Sequence, residues 1–144
     1  DNVVSTMINN RYNDMVESNN PPFTFGYVYH GGTWGRTKEG FQGYAMTKEG
    51  GQVEALKVLM EEVDRANRFG FTASELERAK TELLSRYEES FNNRDKTESG
   101  RLIGEYVRNF LEKESIPGIA WEYGQYKKEL PNITLEQINN VMKN

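Results

Sequence analysis

The side chain in this sequence best suited to binding a metal ion is its one histidine, His30, and the sequence contains no cysteine. Zinc hydrolysis needs several nitrogen, sulfur or carboxylate ligands that converge on one ion, typically with two histidines on one helical face. His30 is followed by Gly31 and Gly32, and no His-x-x-Glu-His motif occurs in either direction. A serine triad also requires a histidine, and nothing resembles a nucleophile elbow. The sequence therefore predicts no metal site and no catalytic residue in this segment.

Carboxylates could also do acid–base chemistry, and they are concentrated in segments that are rich in lysine and arginine. A carboxylate-based hydrolase needs two buried acids within about 10 Å of each other in a cleft. Interspersed charges of both signs are instead typical of solvated helix faces. We therefore interpret these carboxylates as surface residues, and the set comprises Glu75, Glu77, Glu82, Glu88 and Glu89.

The composition restricts the partners that this chain could bind. Its 144 residues indicate a single domain over residues 1–144, and the apolar fraction of 36% is low for a self-contained globule. The mean hydropathy of −0.80 suggests long solvent-facing helices or a piece of a larger protein. The net charge is −4, from 18 basic and 22 acidic residues that are interspersed. We therefore do not expect nucleic acid as a partner. No apolar run approaches the roughly 18 residues of a membrane span.

The elements that would position any site are organised around a sharp helical elbow. Gly70 can take the left-handed conformation that ends a helix, and Thr72 with Glu75 forms a capping-box pattern that begins the next one. We predict helices over Gln52–Phe69 and from about Ala73 to Phe91. The predicted apolar stripes are Val53, Leu56, Leu59, Met60 and Val63 on the first helix, and Leu76, Ala79, Leu83 and Tyr87 on the second.

An antiparallel hairpin is predicted over Phe23–Thr47, with a polar turn at Arg36–Glu39. Its first strand alternates Phe23, Phe25, Tyr27 and Tyr29 with smaller or polar residues, which is typical of a strand with an aromatic face. Because an isolated hairpin is marginally stable, we expect helices to cover this face and further strands to pair with the edges. Gly26 and Gly43 indicate either close packing or bulges, and the sequence does not decide between them.

Four other helical segments are indicated by periodicity and by start and stop signals. The first runs from Asn2 to Glu17, before Pro21 and Pro22, and another apolar stripe starts near Leu102 and ends near Glu114. The remaining two run from Pro117 to about Glu129 and onward from a capping box at Thr134 and Gln137. The predicted fold class is α+β, with an antiparallel sheet covered by several helices and truncated at one or both ends.

The elbow resembles a sequence pattern of a known peptidase family. Gly70-Phe71-Thr72 followed by Glu75-Leu76-Glu77-Arg78-Ala79-Lys80 is similar to the elbow of the insulinase-like (pitrilysin-type) zinc metallopeptidases. Further segments fall in the order found in bacterial members, so the resemblance covers nearly the whole chain. They are Asn10-Arg11, Pro21-Pro22-Phe23, residues 45–50, Arg94-Asp95-Lys96, Ile116-Pro117-Gly118, Leu130-Pro131 and Ile133-Thr134-Leu135-Glu136.

The resemblance implies both a fold and a role. In that family two or four homologous α+β domains form a clam shell around a peptide chamber. One domain carries an inverted zinc motif, His-x-x-Glu-His, and its partner lacks this motif and closes the chamber. The chain thus resembles most of a non-catalytic domain, with zinc held by a catalytic domain in the same chain or another subunit. The resemblance to bacterial relatives implies a periplasmic or cell-envelope location. The alternative is a scaffold protein of the same fold without peptidase activity.

The resemblance transfers no catalytic role to a residue of this chain. Many members have an arginine and, seven residues later, a tyrosine that hold substrate near zinc, but Glu17 and Phe23 stand at about those positions here. If a surface contacts peptide, we expect it to be the hairpin, since an edge strand can bind an extended chain through main-chain pairing. Arg11 matches an arginine of the pattern and could instead form a helix-surface ion pair. The candidate substrate contacts are Phe23, Phe25, Tyr27 and Arg11.

Overall fold

The computed structural model describes residues 2–33 and 38–143, which contain six α-helices and one two-stranded antiparallel sheet. They group into two compact units, Asp1–Ala79 with Thr134–Asn144, and Lys80–Ile133, which we call the first and second units. The elements are α1 (Asn2–Val16), β1 (Phe25–Gly32), β2 (Glu39–Met46), α2 (Gln52–Phe69), α3 (Ala73–Asn92), α4 (Ser99–Glu112), α5 (Ile119–Glu129) and α6 (Leu135–Val141), with short 3-10 turns at Arg94–Lys96 and Leu130–Asn132. The α+β prediction is confirmed.

The two strands form the predicted hairpin in a continuous register. Val28 lies opposite Gly43, and eight successive pairs run without a bulge from Phe25 opposite Met46 to Gly32 opposite Glu39. Residues 36 and 37 of the predicted turn lie outside the described residues, and Glu39 is the first residue of β2.

The prediction that helices cover the aromatic face of β1 is wrong. The strand buries its other face, that of Gly26 and Val28, against α1, and leaves Phe25 and Tyr27 exposed. Alternation shows which residues share a face, but the face that packs is decided by the neighbouring helix, which here contacts the small residues.

Phe23 precedes the strand and belongs to the hydrophobic core. Its side chain is buried and meets the Tyr12 ring edge to face, with the ring centroids 5.7 Å apart. A Cβ on Gly26 would lie 2.6 Å from the Phe23 ring. Gly26 therefore allows close packing by an aromatic ring.

The helix α2 has the predicted bounds but packs through a different stripe. Its buried residues include Ala55, Leu59 and Ala66, whereas Leu56 and Met60 are 60% and 66% exposed. Leu59 is the one residue of the predicted stripe that is among the buried residues of α2. Small residues let another helix approach closely, which explains why the alanine face is the packed one.

The elbow between α2 and α3 forms as predicted. Gly70 has φ 72°, the Glu75 carboxylate accepts from the Thr72 amide at 2.7 Å, and the Thr72 hydroxyl accepts from the Glu75 amide at 3.3 Å. The Asn139 carboxamide oxygen accepts from the Phe71 amide at 2.8 Å, which ties α6 to the elbow. The second predicted capping box, at Thr134 in front of α6, is also confirmed.

The second unit is held by aromatic pairs between α3 and α5. The rings of Tyr87 and Tyr126 stack with centroids 3.7 Å apart, and those of Phe91 and Tyr123 stack at 5.4 Å.

The helix α4 ends two residues before the predicted position, and Lys113 takes a left-handed conformation there. The predicted apolar stripe of α4 is exposed and comprises Leu102, Ile103, Tyr106, Val107, Phe110 and Leu111.

None of the helices in the described part of the chain combines the length and the hydropathy needed to cross a membrane.

Candidate peptide-contact surface

The outer face of the hairpin carries a contiguous set of aromatic side chains, of which Phe25, Tyr27 and Tyr44 are exposed and Tyr29 is half-buried. The rings of Phe25 and Tyr27 stack at 6.2 Å, those of Tyr27 and Tyr29 at 6.3 Å, and those of Tyr29 and Tyr44 at 6.1 Å. Aromatic side chains offer large apolar contact areas, and tyrosines add a hydroxyl for hydrogen bonding. We call this surface the aromatic face, and it comprises Phe25, Tyr27, Tyr29, Tyr44 and Met46.

The register of the hairpin brings this set together. Phe25 pairs with Met46 and Tyr27 with Tyr44, so the side chains of each pair emerge on the same side of the sheet. Tyr44 donates a hydrogen bond to the Gln42 carboxamide oxygen at 3.4 Å. Such a surface can bind apolar side chains of a peptide and can also hydrogen-bond its backbone.

Two of the four candidate residues from the sequence lie on the aromatic face, and two do not. Phe25 and Tyr27 are neighbours on it, whereas Phe23 and Arg11 are in the interior of the first unit. Sequence reasoning missed Tyr44 as a member of this surface. The alternation in the second strand indicated that Tyr44 shares a face with Met46, but only the register joins that face to the one of Phe25.

Arg11 is part of a buried ion-pair network, not of an accessible surface. Its guanidinium donates to Glu75 from Nε and Nη2, to Glu62 Oε1 at 2.9 Å and to the Gly70 carbonyl at 3.1 Å. It also lies over the Phe71 ring, 4.6 Å from the centroid. Burial alone would lower the pKa of Arg11, but the hydrogen bonds with the two carboxylates raise it. Arg11 thus forms an ion pair, as in the alternative interpretation, but the pair is not on the helix surface, because the arginine side chain is only 10% exposed.

Arg11 bridges two carboxylates of the first unit, those of Glu62 and Glu75. Burial alone would raise the pKa of Glu75, but hydrogen bonds from Arg11 and Thr72 outweigh it and lower the pKa to about 2. Glu62 also pairs with Arg65 at 3.2 Å. A general acid must be protonated near the working pH. Glu75 is ionised there, so the pair acts as a structural ion pair.

His30 does not lie among groups that could complete a zinc site. It lines a cavity of about 460 Å³ whose other walls are formed largely by apolar residues such as Val4, Phe41 and Val141. Among residues 2–33 and 38–143, no three histidine, cysteine, aspartate or glutamate side chains are placed so that they could hold a metal ion. These residues therefore do not fit a zinc site.

Comparison with known proteins connects this fold to a class of peptidases. No family model matches the chain. Over 77 residues, or 54% of the chain, it is 31% identical to a protein from Arabidopsis thaliana named "Zinc protease PQQL-like", of which it covers 8%. The chain is thus similar in sequence to a protein named as a zinc protease. The resemblance found in the sequence is thereby confirmed.

Two crystal structures of a periplasmic protease have the same fold as the chain. The first half of the periplasmic protease PqqL from Escherichia coli matches 98% of the chain with a TM-score of 0.79 at 16% identity. The structure of PqqL from the same organism matches 96% with a TM-score of 0.75 at 17% identity. The chain spans 30% and 15% of those two chains, so it corresponds to a small part of each.

Proposed function

We propose that these residues form most of a non-catalytic domain of a zinc metalloendopeptidase. In this proposal the domain closes a peptide chamber, and hydrolysis takes place on zinc held by a catalytic domain elsewhere in the parent protein. The observation that carries the proposal is the sequence similarity to a protein named as a zinc protease. The single histidine and the lack of a metal-binding cluster in the described part of the chain support a non-catalytic role.

The aromatic face is the proposed point of contact with peptide. Of the four candidate contacts, Phe25 and Tyr27 are exposed on this face, whereas Phe23 and Arg11 are buried. Contiguous exposed apolar surface commonly marks an interaction site. Stacked rings present a wall of fixed shape and lose little conformational freedom on binding, which suits peptides of varied sequence.

The solved relatives come from a periplasmic protease, and this supports a location of the parent protein in the cell envelope. The proposed partners are therefore the catalytic domain and the peptide substrate.

The proposal is tested by steady-state hydrolysis of a peptide by the full-length parent protein. We expect Tyr27→Ser and Tyr44→Ser each to raise KM about fivefold, because an aromatic contact contributes about 1 kcal/mol, and to leave zinc content unchanged. Phe69→Ser is the matched control, because Phe69 is an exposed aromatic residue at the end of α2 and away from the aromatic face. An unchanged KM in both tyrosine variants would remove peptide contact from the proposal.

A further inference from the structure

The side of the hairpin that carries the aromatic face contains no charged residue in its paired stretch. Alternation places four residues of each strand on this side, and the others face the helices. None of these eight residues is charged, although 28% of the residues in the whole chain are. An ionised group of a ligand would therefore meet no counter-charge there. The eight residues are Phe25, Tyr27, Tyr29, Gly31, Gly40, Gln42, Tyr44 and Met46.

The polar groups on this side are tyrosine hydroxyls and one carboxamide, and the carboxamide already has partners. Gln42 Nε2 donates to the Gly32 carbonyl at 3.0 Å, and Gln42 Oε1 accepts from the Tyr44 hydroxyl at 3.4 Å. An ionised group that packs against such a surface loses hydration and gains no opposite charge, which costs free energy. Apolar side chains and hydroxyls avoid this cost. The surface therefore discriminates against charge of either sign.

The rings along β1 are spaced like the side chains of an extended peptide. The ring centroids of Phe25 and Tyr27 are 6.2 Å apart, and those of Tyr27 and Tyr29 are 6.3 Å apart. In an extended peptide, side chains on one side recur at every second residue, or about every 6.6 Å. Successive side chains on that side can thus each meet a different ring. Three rings correspond to about five residues of such a peptide.

We propose that the aromatic face binds a peptide segment that is uncharged over about five residues and apolar at every second one. This inference rests on the peptide contact of the proposed function and adds the class of segment that is bound. Within that class the sequence can vary, because the rings provide apolar contact and no charged group that selects one partner. Lys38 is exposed one residue before β2, and it limits the uncharged stretch at the far end of the hairpin.

The test is the binding of dye-labelled peptides to the full-length parent protein, measured by fluorescence polarisation before cleavage begins. The reference probe alternates leucine and threonine over five central residues between glycine–serine flanks. Two charged probes carry lysine or glutamate in place of the central leucine, and each should bind at least about tenfold more weakly. A fourth probe has the same composition as the reference with its leucines adjacent. It should bind about threefold more weakly, because only two leucines then lie on one side.

A charge introduced into the aromatic face provides the compensating experiment. Tyr27→Lys should weaken binding of the reference probe about fivefold, because it removes an aromatic contact. The same variant should bind the glutamate probe more tightly than wild type does, because it supplies the missing counter-charge. Phe69→Lys is the matched control, since Phe69 is an exposed aromatic residue at the end of α2. It should leave the order of the four affinities unchanged.

Three results would overturn the inference. Both charged probes could bind as tightly as the reference, the lysine probe alone could do so, or Tyr27→Lys could change no affinity. The second result would assign the aromatic face to cationic peptides, and the third would mean that peptides bind elsewhere. Initial rates of probe hydrolysis separate this inference from the proposed function. Cleavage without discrimination between the probes refutes only the inference, and discrimination without cleavage refutes only the peptidase.

Discussion

Replacing Arg11 by methionine should destabilise the first unit far more than a surface ion pair would. Arg11 joins α1 to the Glu62 carboxylate of α2 and to the Glu75 carboxylate and Gly70 carbonyl of the elbow. The Arg11 side chain is 10% exposed and that of Glu62 is 4% exposed, so Arg11→Met leaves a buried carboxylate without its main partner. Methionine retains the apolar stem, which restricts the change to charge and hydrogen bonding.

The magnitude follows from the environment of Glu62. Breaking a buried ion pair from one side commonly costs about 3–5 kcal/mol. Arg65 still pairs with Glu62 at 3.2 Å, and this places the expected loss near the lower limit, at about 3 kcal/mol. The measurement is urea unfolding followed by circular dichroism, where a loss of this size moves the midpoint by about 1–3 M.

An exposed ion pair provides the matched control. Arg78 and Asp14 also join α3 to α1, but their side chains are 53% and 57% exposed. Arg78→Met should therefore cost about 0–1 kcal/mol. Adding Glu62→Gln to Arg11→Met removes the uncompensated charge and should recover part of the loss. The reasoning is refuted if Arg11→Met costs no more than Arg78→Met, or if the double variant is no more stable than Arg11→Met.

Three further predictions concern stability. The low pKa of Glu75 contributes about 2 kcal/mol to the free energy of unfolding, which is present above pH 4.5 and lost as the pH falls toward 2. Glu75→Gln should therefore make the urea midpoint depend less on pH in this acid range. Gly70→Ala should cost about 2 kcal/mol or more, because φ is positive and the new Cβ would lie 2.6 Å from Asn139 Oδ1. Gly124→Ala, in the open middle of α5, should instead stabilise the protein by about 0.5–1 kcal/mol. Equal shifts of the melting temperature in the two variants would contradict this. Burial raises the pKa of Tyr12 to about 12, so stability should fall above pH 10. Tyr12→Phe should lessen that fall, part of which remains because burial also raises the pKa of Tyr87; an unchanged alkaline limb would count against it.

The elbow and the helix bounds could be predicted because their determinants are local. Gly70 and the pair of Thr72 and Glu75 act within a few residues, and the structure contains the capping box and the positive φ that they predicted. The bounds of α2, from Gln52 to Phe69, followed from periodicity between two glycine-containing breaks.

The packing of these elements could not be predicted, because it depends on partners distant in the sequence. The helix α2 has apolar residues on two faces, and periodicity selected the one that contains Leu56 and Met60 instead of the packed alanine face. Arg11 contacts carboxylates 51 and 64 residues away, and no local pattern indicates which arginine would be buried. The aromatic face needed the strand register to join Tyr44 to Tyr27.

The zinc content of the full-length parent protein tests the central claim most directly when wild type is compared with His30→Ala. His30 is the one imidazole in these 144 residues. If zinc is held by another domain, both proteins should contain one zinc ion per chain and hydrolyse peptide at the same rate. Loss of zinc and of hydrolysis in His30→Ala would contradict the account, as would a wild-type parent that contains no zinc.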